Sequence, residues 1–186
     1  MKQLWVSEHL HYDGSQLRPL FAYMQYQILG NSIISWRGSC DVDNSHMVDG
    51  EDLLQGAQIC GADMLHFIIE MFDRELFSGV LLQRLMASII KDLVHEFSDS
   101  NAQFLTRDGD DLYWGDRKLS ISISSKSAVS TQIHFAVNIT NDGTPVKTCA
   151  LEDMAIEPEK FAVQVMDAVV REWESVTNAT RKVKPL

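Results

Sequence analysis

Apolar residues recur along this chain with two different periods, and the changes of period mark out its elements. Trp5 and Val6 predict a short first strand, after which Asp13-Gly14-Ser15 supplies turn chemistry and a helix cap. Leu17, Phe21, Met24 and Ile28 follow at helical spacing, Pro19 being tolerable because it falls near the first turn, and Gly30-Asn31 stops that helix. Ser32 to Trp36 predicts a strand that runs into Arg37-Gly38, and Ser39 to Gln58, rich in Asp, Asn, Ser and Gly, reads as a long loop, either functional or a misassigned element. Met64 to Phe72 is short and rich in β-formers, the signature of a largely buried strand. After Ser78-Gly79, the positions Leu81, Leu82, Leu85, Ile89, Leu93 and Phe97 form the clearest helical stripe, expected to lie on a sheet.

From Gln103 to Thr140 the period becomes two. A strand near Phe104, a turn about Asp108-Gly109, a strand from Leu112 to Ser124 and another from Gln132 to Thr140 read as an antiparallel meander. Glu157-Pro158-Glu159 then opens a helix with proline at an allowed first position, carrying Phe161, Val165, Ala168, Val169, Trp173 and Val176 inward. Strands clustered apart from helices predict an α+β fold, a mainly antiparallel sheet with helices packed on one face.

Composition narrows the function classes. With 186 residues, of which 45% are hydrophobic, the chain suits one domain over 1–186 with its own core, and a disordered or fibrous chain is excluded. A formal net charge of −10 disfavours nucleic-acid binding, since phosphate neutralisation needs clustered Lys and Arg that are absent apart from the Arg181-Lys182-Val183-Lys184 tail. No apolar run suits a signal core or a membrane span, and Cys40, Cys60 and Cys149 are too widely spaced for a Cys-x-x-Cys pair. Reduced thiols in a cytoplasmic protein are expected. A homodimer through edge strands would suit such a fold, although no exposed strand compels it.

Candidate chemistry concentrates in Asp110-Asp111-Leu112-Tyr113-Trp114-Gly115-Asp116-Arg117-Lys118-Leu119-Ser120 and in Ile133-His134-Phe135-Ala136-Val137-Asn138-Ile139. Uninterrupted strand geometry puts Lys118, Ser120, Ser122 and Ser124 on one face and His134, Ala136 and Asn138 on one face of the second strand. If the two strands pair, these polar faces form a floor that could hold a ligand. Alternation alone favours the plainer reading, a strand whose polar face meets water.

The spacing of an aspartate pair, a tight turn, Arg-Lys-hydrophobic-small and a later strand ending in Asn resembles the catalytic core of the biotin and lipoate protein ligases. On that likeness Asp110 and Asp111 stand for the family's Asn-Asp, Lys118 for its lysine, Ser120 for its small residue and Asn138 for the closing Asn. The resemblance implies that Lys118 contacts the carboxylate and phosphate of an acyl-adenylate, and that Arg37-Gly38 leads into a loop wrapping adenylate and substrate. Lys118 and Arg37 are thus the implied catalytic residues. Gly38, Asp110, Asp111, Ser120, His134 and Asn138 are the implied substrate-binding residues, with ATP and Mg²⁺ as the implied cofactors and a small carboxylate as partner. An ammonium suits charge developing on phosphate oxygens. More closely still, Arg37-Gly38-Ser39-Cys40-Asp41-Val42, Met47 to Asp52, Met64-Leu65-His66-Phe67 and Gln83-Arg84-Leu85 resemble a prokaryotic domain of unknown function, family 366, whose fold is that of these ligases and of class II aminoacyl-tRNA synthetases. No activity comes with it. Ile121 and His134 stand where the ligases carry glycine, and Ser39-Cys40-Asp41-Val42-Asp43 replaces their glycine-rich loop, which disfavours biotin itself.

Three readings follow. The first is an acyl-adenylate ligase or acyltransferase working through Lys118. The second is a non-catalytic binding protein of the same fold, its cofactor slot closed by Ile121 and His134. The third is a metal-dependent hydrolase built around Asp41, Asp43, His46, Asp49, Glu51 and Asp52, a set whose spacing matches no EF-hand or His-Glu-x-x-His and which suits a solvated loop with Asp49 or Asp52 capping a helix. His9 and His11 read as surface, His66 as a core histidine, and Cys40 as structural.

Overall fold

The computed structural model describes residues 1–98 and 105–184. Its elements are β1 (Lys2–Val6), α1 (Phe21–Tyr26), β2 (Ser32–Asp41), α2 (Gly50–Gln55), β3 (Cys60–Phe72), α3 (Leu76–Phe97), β4 (Leu105–Asp108), β5 (Asp111–Trp114), β6 (Arg117–Lys118), β7 (Ser120–Lys126), β8 (Ser130–Asn138) and α4 (Pro158–Arg181). A five-stranded sheet runs β1-β2-β3-β8-β7, parallel between β1 and β2 and antiparallel elsewhere. A small antiparallel sheet, β4-β5-β6, stands beside it and adds Leu105 and Leu112 to the same core. This is the α+β arrangement expected, a mainly antiparallel sheet with the long helices on one face.

The helices cover that face because alternate strand residues supply their seat. Ile33, Leu65, Phe67, Ile69, Ile133, Phe135 and Val137 are wholly buried there against Met86, Ile90 and Val94 of α3 and Phe161, Val165 and Val169 of α4. Phe97 meets Phe161 edge-on, with centroids 5.6 Å apart. Pro158 sits in the first turn of α4, and the Glu157 carboxylate accepts from the backbone N–H groups of Glu159 and Lys160, closing the helix start. α3 begins before Ser78-Gly79 rather than after it. Gly79 faces Ser124 and Thr131, where a Cβ would collide, so the glycine allows helix and sheet to touch instead of ending the helix.

The opposite face positions the site, and an irregular N-terminal segment covers part of it. Val6, Tyr12, Phe21, Ile34, Trp36, Ile68 and Ala136 form a second core there. The expected helix over Leu17 to Ile28 shrinks to six residues. Leu20 adopts φ 62°, and its N–H is accepted by the buried Glu70 carboxylate at 2.7 Å, so a tertiary bond sets where the helix starts. Residues 10–12 run beside the end of β2: Leu10 N–H donates to Arg37 O and Tyr12 N–H to Ser39 O, while the Trp36 indole donates to Leu10 O at 3.0 Å. They come so near that a Cβ on Gly38 would overlap the Leu10 carbonyl.

The meander differs from the expected single strand over Leu112 to Ser124. Gly115, at φ 65°, turns β5 into β6, and Leu119 interrupts the strand again before β7. The strand expected near Phe104 lies outside the described residues; β4 starts at Leu105. The loop expected over Ser39 to Gln58 contains the end of β2 and all of α2, which Asp49 caps by accepting from Glu51 and Asp52 N–H. Among the described residues no helix is long and apolar enough to cross a membrane.

Candidate functional site

A cleft of about 310 Å³ opens on the face away from α3 and α4. Ile121, Ile123 and His134 line it from the sheet, Tyr12, Leu17, Val42 and Ile59 from the covering segments, and Asp49, Glu51 and Asp52 from α2 and its cap. Asp110, Asp111 and Lys118 stand along the β4-β5-β6 side. A smaller hollow of about 180 Å³ adjoins it, sharing Asp52, Ile59, Lys118 and Ile121 with the first and reaching Ser120 and Asn138.

The register overturns the expected polar floor. Ser120 pairs with Val137, Ser122 with Phe135 and Ser124 with Ile133, whereas Ile121 pairs with Ala136 and Ile123 with His134. Residues directly opposite in an antiparallel pair share a face. The serine side chains therefore accompany the helix-facing core, and the isoleucines join His134 on the cleft side. The break at Leu119 resets the alternation, and a one-residue change of phase exchanges every side chain between faces.

Lys118 is held from several directions. Its Nζ donates to Asp111 Oδ2 at 2.8 Å, and Tyr113, opposite it in the β5–β6 pair, donates its hydroxyl to the same oxygen at 3.2 Å. Burial and the neighbouring Asp111 charge push the Tyr113 phenol upward, keeping it a donor. The backbone of Lys118 is fixed by its N–H to Lys147 O and by its carbonyl, which accepts from Asn138 Nδ2 at 3.1 Å. Asn138 also donates to Cys149 O, and its side chain thereby ties three segments together. The Lys118 side chain is 28% exposed, and it borders both hollows.

At the buried end stand His134 and Tyr12, each 3% exposed, their rings stacked with centroids 3.7 Å apart. His66 Nε2 lies 3.2 Å from Gly38 O, and its Nδ1 lies 3.1 Å from His134 Nε2. A carbonyl only accepts, so His66 carries its proton on Nε2 and accepts at Nδ1; His134 must then carry its proton on Nε2 and present Nδ1 as an acceptor. Burial is the main cause that pushes His66 down to about 4, and burial followed by the neighbouring His66 holds His134 well below the ordinary imidazole value. Both rings are neutral near pH 7, consistent with that chain of tautomers.

The remaining expected residues fall in different places. Arg37 forms a forked pair with Asp63, its Nε 3.0 Å from both carboxylate oxygens, and does not line the cleft. Gly38 is covered by Leu10, and its space is taken by the chain itself. Asp110 accepts from Gln83 Nε2 at 2.6 Å and Ser122 Oγ at 2.7 Å, which anchors the hairpin to α3 and β7. Asp111 pairs with Lys118 as described, and Ser120 is buried with its Oγ accepting from Leu112 N–H. Lys118, Asp110, Asp111 and His134 thus share the cleft, Ser120 and Asn138 back it, and Arg37 and Gly38 stand apart.

Among the described residues no three His, Cys, Asp or Glu side chains converge as a metal site. Burial pushes the Cys40 thiol up to about 12 and Cys149 to about 11, so both are inert thiols, and all three cysteines are free. Sequence reasoning missed Tyr12, Gln83 and the placing of Asp52 over Lys118. Tyr12 lies between turn signals with no periodicity to flag it. Gln83 enters the sequence only within the run Gln83-Arg84-Leu85 that carries the family resemblance, with no role attached to its side chain.

The fold is shared with solved structures. A protein of unknown function from Pyrococcus horikoshii superposes at a TM-score of 0.92 with 34% identity over all of both chains. An Aquifex aeolicus biotin protein ligase in complex with biotin superposes at 0.61 with 11% identity over 94% of this chain and 70% of that one. A T. acidophilum protein assigned as a lipoate protein ligase, with lipoic acid bound, does so at 0.54 with 10% identity over 95% and 86%. At such identities the ligase likeness establishes the fold alone. An uncharacterised protein of Methanocaldococcus jannaschii is 32% identical over 193 residues, covering 100% of this chain and 86% of that relative. With the profile of the domain of unknown function DUF366 matching residues 1–184, the chain belongs to that family.

Proposed function

We propose that this protein binds a small carboxylic acid in the cleft beside Lys118. The observation that carries the reading is a buttressed ammonium at the edge of an apolar-floored hollow. Lys118 has three N–H donors. Asp111 takes one of them, and Ile121, Ile123 and Val42 offer an apolar body something to lie on. Ligases of this fold with biotin or lipoic acid bound support the same choice of ligand class. The free cysteines suit a reducing, cytoplasmic setting, which is part of the proposal.

A nucleoside triphosphate does not fit the residues present. Lys118 is the only fixed cation lining the cleft among the described residues, against Asp49, Glu51, Asp52, Asp110 and Asp111, and Arg37 is occupied by Asp63. Phosphate recognition calls for converging donors and positive charge. A catalytic role compatible with the site is acyl transfer from a preformed donor, with Lys118 stabilising charge on the carbonyl oxygen. The stacked and hydrogen-bonded Tyr12–His134–His66 group, which fills the end of the cleft, favours the second reading, binding without chemistry.

A thermal-shift screen with carboxylic acids of graded chain length tests the proposal. Stabilisation by at least one acid, lost in Lys118→Met while the ligand-free melting temperature stays within a few degrees, is expected. No acid raising the melting temperature, or an undiminished shift in Lys118→Met, would refute it.

A further inference from the structure

The cleft is far richer in acceptors than one carboxylate ligand can use. Beyond the Lys118–Asp111 pair, Asp49, Glu51, Asp52 and Asp110 face it. Asp110 is satisfied by Gln83 and Ser122, and Asp49 by the start of α2. Glu51 accepts only from Gln55 at 3.2 Å, and the Asp52 carboxylate has no side-chain partner among the described residues although it borders both hollows beside Lys118. Its carboxyl sits above the usual range through burial and then repulsion from Asp49, with Lys118 only partly opposing these. A group in that position gains from a second cation.

A second feature points to a ligand independently. Tyr12 and His134 are each 3% exposed and both line the cleft. The Tyr12 hydroxyl makes no hydrogen bond to any described residue, and the tautomer chain from Gly38 through His66 leaves His134 Nδ1 as an acceptor, also without a partner among the described residues. Polar groups on side chains this buried are ordinarily satisfied, so a phenol and an imidazole nitrogen left open in the wall of one hollow mark a place for a polar ligand group: a donor for His134 Nδ1, and for the Tyr12 hydroxyl, which both donates and accepts, either kind of partner.

We infer that the acid bound here also carries a cationic nitrogen: the cleft takes an amine-bearing carboxylic acid, its carboxylate on Lys118 and its ammonium against Asp52. This rests on the carboxylate reading above and adds the second charge. An ammonium supplies three donors, enough to reach a carboxylate and a neighbouring acceptor together. A plain fatty acid would leave Asp52 and the Tyr12–His134 wall unpaired, and a site built to bond a polar group discriminates against the analogue lacking it.

The test pairs each zwitterion with the acid that lacks its amine: leucine with 4-methylpentanoate, and 6-aminohexanoate with hexanoate. Hexylamine serves as the amine without a carboxylate, and binding to the full-length protein is followed by calorimetry. At least one zwitterion should bind about tenfold or more tightly than its partner acid. That preference should vanish in Asp52→Asn and persist in Glu51→Gln, both folded by circular dichroism. Acids binding as tightly as their amino counterparts would overturn this inference while leaving the carboxylate site intact. Hexylamine matching the zwitterions, or no carboxylate binding at all, would overturn both.

Discussion

The buried pair His66 and His134 makes stability fall with acid well before the carboxylates with lowered values are neutralised. His66 is fully buried and neutral in the native state, with its pKa lowered to about 4 from 6.5, burial being the main cause. In the unfolded chain the imidazole protonates below its ordinary value, so the unfolded state binds more protons and stability drops as pH falls from about 6.5 towards 4. Integrating that difference gives a loss of about 2 kcal/mol by roughly pH 5 for His66 alone. His134, displaced in the same direction by burial and then by the neighbouring His66, deepens that loss. The carboxylates with lowered values, Asp13, Asp43 and Asp116, act mainly at more acid pH, because unfolded carboxyls are half-protonated at their ordinary value of 3.8. Urea unfolding followed by tryptophan fluorescence from about pH 7.5 to 5 measures the slope, and His134→Gln should make it distinctly shallower. A wild-type midpoint unchanged across that interval would refute the reasoning, since neutral buried imidazoles cannot be insensitive to acid.

Further outcomes follow from single contacts. Gly38→Ala sets a methyl group against the Leu10 carbonyl, so the N-terminal segment should detach or the fold should lose several kcal/mol, read as a lower melting temperature and faster proteolysis within residues 7–20. Asn138→Ala leaves the Cys149 carbonyl without its side-chain donor and removes one of two donors from the Lys118 carbonyl, the Cys149 N–H remaining; it should cost about 1–3 kcal/mol in chemical denaturation, with any ligand binding weakened through the displaced lysine. Asp49→Ala removes the cap of α2 and should cost about 1 kcal/mol locally, seen as faster amide exchange over residues 50–55 with little change in the global melting temperature.

Much of the frame was legible because it rests on local periodicity. The stripe Leu82, Leu85, Ile89 and Leu93 gave α3, the β-rich run to Phe72 gave most of β3, and Glu157-Pro158 gave the start of α4. The site was legible only in part. Asp110, Asp111 and Lys118 border one hollow and Asn138 the adjoining one, yet the faces of Ser120 and Ser122 came out reversed, because Gly115 and Leu119 break the strand and a break leaves no mark in the alternation that follows. Arg37 read as an implied catalytic residue, and its partner Asp63, 26 residues away, could not be located without the β2–β3 register. Tyr12 and Leu20 owe their positions to Cys40 and Glu70, contacts far along the chain that no local pattern encodes.

The claim at the centre is that Lys118 receives a carboxylate in the cleft between α2 and the sheet. A crystal structure of the protein soaked with the best acid from the thermal screen tests it most directly. The account requires carboxylate density within about 2.7–3.2 Å of Lys118 Nζ, with the body of the ligand over Ile121 and Ile123. An acid seated elsewhere, with the Lys118–Asp111 pair undisturbed and the cleft unfilled, would contradict it.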